Sequence, residues 1–525
     1  MVDVPGGALA NTQAAFDRIS NGIFSLAGTC EELAAAWTAL AALKPEKKFV
    51  GELLASAGMH LCEPASTRTY DWISCRSQRL GDRSAVRNGF TADRRRGLVL
   101  HLDPTCLHDS SFDASMSEIV KVLHRSMGAL VDQELQQSVK KSLEAWLRKL
   151  VDDISPDTDL DEVVACCLHE NLPHAVAHLR ALLMASTSDD LNSLGNNAVA
   201  KAQRIAGSFF WILSMSHYSA IRDRFGSCLP PLLKLMDTCT DEHVRLVGSH
   251  AILLLLDKAM AVEVQYMGAA LEDFFQRYTP MSWSNTPAAQ ATCIPYCRAW
   301  VLFLVKGFAQ QDAARQQESV IRFLDAMQMQ IGTSSLGFRL ALEHGLLELV
   351  EREPGLLGPQ LFRTVELLLH STESLQAQEV LLAWCGLHCL LGSGFSKRVP
   401  RYALDVFMRA SLTYATFVVS GPPSHLAGET DATVYTSPVA ASMTSAEWKM
   451  VEHKRPAMES VLTSIVELLD RFASTQLHGH LQELEDFARM ANETGPTRTT
   501  MSNEARELAP HLIGFLSFAQ SALSP

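Results

Sequence analysis

The chain has 525 residues, with 45 Lys and Arg against 58 Asp and Glu, a formal net charge of −13, 47% hydrophobic and 20% charged residues. This composition excludes a mostly disordered chain, and its acidic balance supplies no general attraction to phosphate backbones or anionic lipid. The length is enough for about three domains, and residue types alone name no reaction.

The first residues, Met1-Val2-Asp3-Val4-Pro5-Gly6-Gly7, show no basic segment leading into an apolar one, so no secretory signal is expected. Residues 1–62 read as N-terminal helices. Residues 63–112 are poor in apolar stripes and rich in Arg, Ser, Asp and Gly; they read as an Arg/Ser-rich loop segment, with Leu98 to Leu102 a short strand candidate. Ser115 and Glu118 form a capping box ahead of Ile119, Leu123, Met127 and Leu130. Val139, Leu143, Trp146 and Leu150 continue at helical spacing, and 113–218 reads as the helical N-terminal part of a solenoid.

From 219 to 416 the helices come in pairs: 219–236 with 240–258, 261–278 with 286–307, 313–330 with 334–352, and 358–370 with 374–391. Their period of about 40–50 residues is near that of HEAT-like repeats. Single-face stripes run through Val320, Leu324, Met327 and Ile331, and through Leu361, Phe362, Val365, Leu368 and Leu369. Pro280, Pro287, Gly332 and the run from Pro354-Gly355 to Gly358-Pro359 mark the turns. Residues 417–446, with Gly421-Pro422-Pro423, Gly428 and Pro438, read as a flexible insertion. C-terminal helices fill 447–525: a stripe at Val461, Ile465, Leu468 and Phe472, a break around Asn492 to Ser502, and a last helix at about 503–522.

Each helix pair has an apolar face that it cannot bury alone, and stacking neighbours buries it. The expected fold is therefore all-α: a HEAT/armadillo-like α-solenoid of stacked helical hairpins. The most apolar runs, Ala251 to Leu256 and Ala299 to Val305, are bracketed by His250 and Asp257 and by Arg298 and Lys306. Both are too short to span a membrane. The 12 cysteines are scattered through helical patterns, which suits reduced thiols in the cytoplasm or the nucleus.

Several groups invite a chemical reading. His169-Glu170-Asn171-Leu172-Pro173-His174 resembles a zinc-protease motif, but its histidines are five apart rather than four, and Pro173 is expected to disturb the helix. Cys293 with Cys297, and Cys385 with His388 and Cys389, sit one helical turn apart among core-like neighbours such as Ile294, Trp300, Leu382, Trp384 and Leu390. They read as buried thiols rather than halves of a zinc site. Arg68, Arg76, Arg79, Arg83, Arg87 and Arg94-Arg95-Arg96 form a basic island. Without an aromatic stacking pattern it reads as a solvated loop, and no direct nucleic-acid contact is expected. Phosphate-loop, dinucleotide, nucleophile-elbow and kinase motifs do not occur, and Asn492-Glu493-Thr494 reads as a chance sequon. The reading is non-enzymatic: no catalytic, cofactor-binding or metal-binding residue and no cofactor is assigned, and partner-binding residues remain unassigned.

One stretch carries a resemblance. Cys228-Leu229-Pro230-Pro231-Leu232-Leu233-Lys234-Leu235-Met236-Asp237 is followed by Asp241-Glu242-His243-Val244-Arg245-Leu246-Val247-Gly248-Ser249-His250, an apolar helix, and Val264-Gln265-Tyr266-Met267-Gly268 with Leu271, Phe274 and Phe275. It resembles the middle of the Tel-two-interacting protein two family, whose marks are "LP…L.L.DD" and then "K.LG.H". Leu229, Pro230, Gly248 and His250 fall on those marks; Asp237 matches the acidic pair loosely, and Arg245 stands where the family often has Lys. The segment from Leu336 to Leu391 follows the family's helix order. The resemblance implies an α-solenoid subunit of the Triple-T co-chaperone complex. Its partners would be Tel-two-interacting protein one and Tel-two, and it would act indirectly with the ninety-kilodalton heat-shock chaperone on the stability of phosphatidylinositol-3-kinase-related kinases. The other reading is a HEAT/armadillo adaptor in transport or the cytoskeleton.

Overall fold

The computed structural model describes residues 30–42, 50–61, 133–149, 160–184, 196–277, 287–331, 336–493 and 515–523, apart from positions 240, 394, 396–397, 424 and 427–435. The basic island, the strand candidate at Leu98 to Leu102 and the Ser115–Glu118 capping box lie outside these residues. Among the described residues every regular element is helical, as the apolar periodicity predicts, and there is no strand. No described helix is long and apolar enough to cross a membrane. The chain divides into two compact units, 1–90 with 113–313 and 91–112 with 314–525.

The first unit contains α1 (Cys30–Ala42), α2 (Val50–Leu61), α3 (Gln133–Arg148), α4 (Leu160–Met184), α5 (Asn196–Met215), α6 (Tyr218–Arg222), α7 (Phe225–Thr238), α8 (Glu242–Lys258), α9 (Ala261–Tyr266), α10 (Gly268–Arg277) and α11 (Pro287–Lys306). Helices α2, α5, α8 and α11 pack in series, with α4 and α7 against the first three and α9 and α10 against α11. The expected helices at 219–236 and 261–278 are each divided, the first at Asp223-Arg224 and the second at Met267.

The direction of the packed helices follows from their ends. The last carbonyls of an α-helix have no intrahelical donor and carry the negative pole of its dipole. Lys258, the last residue of α8, donates from Nζ to the carbonyls of Leu213, Ser214 and Ser216 at 2.5, 3.1 and 2.7 Å, at the end of α5. Lys306, the last residue of α11, repeats this at the end of α8, reaching Leu256, Asp257 and Ala259 at 2.8, 3.0 and 2.9 Å. The C-termini of α5, α8 and α11 therefore share one end of the unit, and the three helices run parallel. Lys149, just after α3, makes the same type of bond to the Ala41 carbonyl of α1 at 2.5 Å.

Close approach is set by glycines. A Cβ on Gly51 of α2 would lie 2.5 Å from the Cβ of His174 and 2.8 Å from the backbone nitrogen of Ala175 in α4. One on Gly58, two turns on, would meet the Ser208 hydroxyl of α5 at 2.8 Å. That hydroxyl donates to the Ala55 carbonyl at 2.6 Å, so α2 is seated between α4 and α5. Helix α4 corrects one expectation: it continues through Pro173. The proline removes a single N–H, while Leu168, Leu172, Ala175, Val176 and Leu179 bury the surrounding face.

The second unit contains α12 (Ala313–Ile331), α13 (Leu336–Arg352), a 3₁₀ turn (Pro354–Gln360), α14 (Leu361–Ser371), α15 (Ala377–Gly392), a 3₁₀ turn (Val399–Tyr402), α16 (Ala403–Thr413), a π-helical turn (Tyr414–Val419), α17 (Pro438–Ala441), α18 (Ser445–Glu493) and α19 (515–523). Helix α18 has a non-helical residue, Ala473, where it kinks (φ −138°, ψ 33°). Helices α13, α15 and α18 pack in series, and here their N-termini are joined. Arg339 near the start of α13 pairs with Glu379 near the start of α15 at 2.8 Å. Gln376, at the α15 N-cap, donates to Glu447 in the first turn of α18 at 3.3 Å. Glu447 in turn accepts from the Thr444 backbone nitrogen at 2.7 Å and closes a capping box that lowers its carboxyl pKa. In the 417–446 segment, the Ser437 N–H donates to the Ser420 hydroxyl at 2.8 Å and the Thr436 hydroxyl to the Pro422 carbonyl at 3.0 Å, so its two ends are stitched together.

Lys306→Met removes a cation from three carbonyls and is expected to cost about 2 kcal/mol, with Lys306→Arg costing less. Gly51→Ala places a methyl on backbone atoms and is expected to cost about 2–3 kcal/mol. Urea unfolding of the full chain, followed by tryptophan fluorescence, measures both.

Candidate interaction surface

Helix α16 is apolar on two sides. Ala403, Val406, Phe407 and Ala410 are buried; Phe407 meets Phe515 of α19 with ring centroids 5.1 Å apart. The Thr413 hydroxyl accepts a bond from the Trp384 indole of α15 at 3.0 Å. On the opposite side Leu404, Met408 and Leu412 are 46%, 41% and 45% exposed. Their i, i+4, i+8 spacing makes one continuous row. A surface helix normally turns its apolar residues to the core, and this one leaves a second apolar row partly in solvent.

Two further helices extend the face. Gln317 of α12 donates to the Leu356 carbonyl in the turn before α14 at 3.0 Å, and Arg363 of α14 donates to Asp325 and Gln328 of α12 at 2.5 and 2.6 Å. Phe362 of α14 meets Tyr402 beside α16 at 5.9 Å, and Arg409 of α16 pairs with Glu373 beyond the end of α14. Partner positions advance together along the chain, 317 with 356 and then 325 and 328 with 363, and 362 with 402 and then 373 with 409, so α12, α14 and α16 run in the same direction. Phe362 was placed on the inward stripe by its spacing, but it is 58% exposed and faces outward. It lies one position from Leu361, which is buried, and adjacent residues on a helix point about 100° apart.

The charges on this face are unevenly satisfied. Asp325 and Glu373 have arginine partners, while the exposed carboxylates Glu366 and Asp405 pair with no cation among the described residues. At the N-terminal end of α16, just past the Ala473 kink, an open depression of about 440 Å³ is lined by Arg401, Leu404, Gln476, Gly479, His480 and Glu483. It is contiguous with the apolar row at Leu404. Its shallowness and mixed lining suit the edge of an interface rather than a site that encloses a small molecule.

The second unit also holds a buried polar cluster. Glu379 accepts from Arg339 on both oxygens, at 2.8 and 3.3 Å, and the Ser374 hydroxyl donates to the second of them at 2.5 Å. Glu343, one turn on from Arg339, is buried beside them. Burial, and then the neighbouring Glu379 charge, push its carboxyl pKa well above the ordinary 4.5, so Glu343 is held neutral. The cluster links α13 and α15.

The groups singled out in the sequence do not converge. His169 and His174 are both exposed on α4; His169 lies 3.3 Å from the Ser219 hydroxyl. Cys293 and Cys297 are buried with sulfurs 3.7 Å apart, and Cys385 is buried on α15. Burial raises the pKa of the Cys293 and Cys389 thiols and pushes that of Cys385 up to about 12, so all three persist as core thiols, as their flanks predict. Among the described residues no three His, Cys, Asp or Glu groups are placed to hold a metal ion. The motif positions at Gly248 and His250 serve packing. A Cβ on Gly248 would lie 2.6 Å from the Met236 sulfur, so its absence lets α7 close on α8. The His250 ring packs edge-on to Phe210 at 6.4 Å, and burial followed by the Arg298 charge pushes its pKa down to about 3. The outward row of α16 was not identified from the sequence. Its signal was available: apolar residues at 404, 408 and 412 opposite those at 406, 407 and 410.

Comparison with known proteins found no matching family, no matching curated protein and no matching solved structure.

Glu343 binds a proton in the folded chain that it has lost in the unfolded one, so it lowers stability as pH rises from about 4.5 towards its native pKa. Glu343→Gln is expected to raise stability at pH 7 and to flatten its decline above pH 4.5. Thermal unfolding across a pH series tests both effects.

Proposed function

We propose that the chain is a non-catalytic scaffold of the HEAT/armadillo-like α-solenoid class, which binds another helical-repeat protein through the outer face of its second unit. The observation that carries this reading is the exposed Leu404–Met408–Leu412 row on a helix whose other side is already buried. The parallel series α5–α8–α11 and α13–α15–α18 support the repeat reading, because parallel neighbours joined through intervening helices are what stacked helical hairpins produce. The resemblance in Leu229 to Phe275 points to the Triple-T subunit: a protein of the cytoplasm, and also the nucleus, that binds Tel-two-interacting protein one and Tel-two. Through them it would support chaperone-dependent maturation of phosphatidylinositol-3-kinase-related kinases. The second reading, a transport or cytoskeletal adaptor, uses the same surface with a different partner.

Affinity purification of the tagged chain, followed by mass spectrometry of the native complex, tests the assignment. A stoichiometric helical-repeat subunit together with chaperone components is expected. The Leu404→Asp/Met408→Asp double variant, with an unchanged far-UV spectrum, is expected to retain less than about a tenth of that subunit, as loss of a central apolar anchor predicts. A stoichiometric transport or cytoskeletal partner would favour the second reading, and a monomeric chain with no partner would defeat both.

A further inference from the structure

From the outward row of α16 and the charges on the side it turns to α14 we infer that the partner element seated there is an amphipathic α-helix, with large aliphatic anchors at i, i+4, i+8 and Lys or Arg along its flank. This deepens the scaffold reading and rests on it. The anchor spacing follows from Leu404, Met408 and Leu412, which present three apolar contacts one helical turn apart along a straight helix. Phe362, held against Tyr402, lies beside the start of α16, and Arg409, bound to Glu373, ties α16 to the residue just beyond the end of α14. A β-strand is a poor fit, because its side chains recur at about 7 Å on one face whereas these rows repeat at about 6 Å, one α-helical turn.

The flanking charge follows from the two carboxylates left over. Glu366 lies one turn on from exposed Phe362, and Asp405 is adjacent to Leu404 on the flank that carries Arg409, the side turned towards α14. Both are exposed, and neither has a cation among the described residues. On the two facing helices Arg363 and Arg409 are committed to Asp325 and Glu373. Arg401 stands in the depression beside Leu404, so the negative charge is local to the side turned to α14, where Glu366 and Asp405 lie, and the chain as a whole carries −13. A second copy of the chain is disfavoured on the same ground. Two such faces related by a two-fold axis would set one pair of free carboxylates, Glu366 and Asp405, opposite an equally acidic face. The chain does cover apolar surface with a helix elsewhere: α19 seats Phe515 and Phe518 on Tyr414 at 5.7 and 4.4 Å, on the side of α16 away from the row.

The test uses two designed helical peptides of the same length, each with three leucines at i, i+4, i+8, one flanked by Lys and the other by Glu. Binding to the full chain is read by fluorescence anisotropy at two salt concentrations. The Lys-flanked peptide is expected to bind about tenfold more tightly than the Glu-flanked one, with the difference shrinking at high salt. Met408→Asp is expected to weaken it at least tenfold at an unchanged Tm. Glu366→Lys/Asp405→Lys, which leaves the apolar row intact, is expected to reverse the preference. Equal binding of the two peptides, binding of neither, or a preference that the double reversal leaves unaltered would overturn the inference. So would a fall of several degrees in the Tm of Met408→Asp, since the chain itself would then be covering the row. A dimer in sedimentation that Met408→Asp dissolves would give the face to a second copy and also overturn it. The scaffold reading is judged separately: if the native complex forms and depends on Leu404 and Met408 while the peptides fail, only the chemistry assigned to the partner is wrong.

Discussion

The negative pole at the end of each long helix is the constraint around which the first unit is organised. Three or four carbonyls emerge there without donors, close to apolar neighbours that exclude water. Lys258 and Lys306 meet this need from the ends of the following helices, and a single ammonium group carries three donors, enough to serve three carbonyls at once. The consequence is directional. A lysine at a helix C-terminus can cap its predecessor only if both helices end on the same side, so satisfying one set of polar groups fixes the helices parallel. Parallel neighbours then require a return element between them, and α6–α7 and α9–α10 are those returns.

The second unit reaches a parallel arrangement from the opposite end. Its ties lie at N-termini, where carboxylates rather than ammonium groups complement the dipole: Glu379 near the start of α15 and Glu447 in the first turn of α18. Clustering carboxylates has a cost, and Glu343 bears it. Beside Glu379, and out of water, it is held neutral, so one Arg339 balances one ionised carboxylate rather than two. The apolar stripes supply most of the stability in both units. The polar ties select direction and register among packings that are otherwise similar in hydrophobic burial.

Much of this was legible in the sequence, and what was not has physical reasons. Apolar residues at helical spacing gave the paired helices because the same residues, such as Val320, Leu324 and Met327, are the buried ones. The ends of the apolar runs were visible too: Asp257 and Lys306 were read as brackets, although the function of Lys306, a cap on α8, depends on a contact 50 residues distant that no local pattern reveals. Pro173 misled because a proline is costly in an isolated helix, whereas α4 is held on both sides of it by buried leucines and by α2 at Gly51. Phe362 misled for a different reason. Periodicity reports that residues share a face; it does not report whether that face meets the core or the solvent. The α16 row went unread because the paired helices were traced only to 391, and with apolar residues on both sides of α16 no single-face stripe marks it.

The size of that row bears on the kind of partner it can hold. Three side chains, each a little under half exposed, leave roughly 200–300 Å² of apolar surface, within the range of ordinary surface patches. Burying it would contribute on the order of 5 kcal/mol before association costs of similar size are met. Leu404, Met408 and Leu412 alone therefore support a weak encounter. A durable complex must extend along the same layer, over Phe362 and onwards to Met329 at the end of α12, both of which are exposed. Helices α12, α14 and α16 run in the same direction and are tied through Arg363 and Arg409, so these positions lie along neighbouring helices. The two unpaired carboxylates then act chiefly on selection. In the proposed complex they would add little to the affinity for a correct partner and would penalise an acidic one.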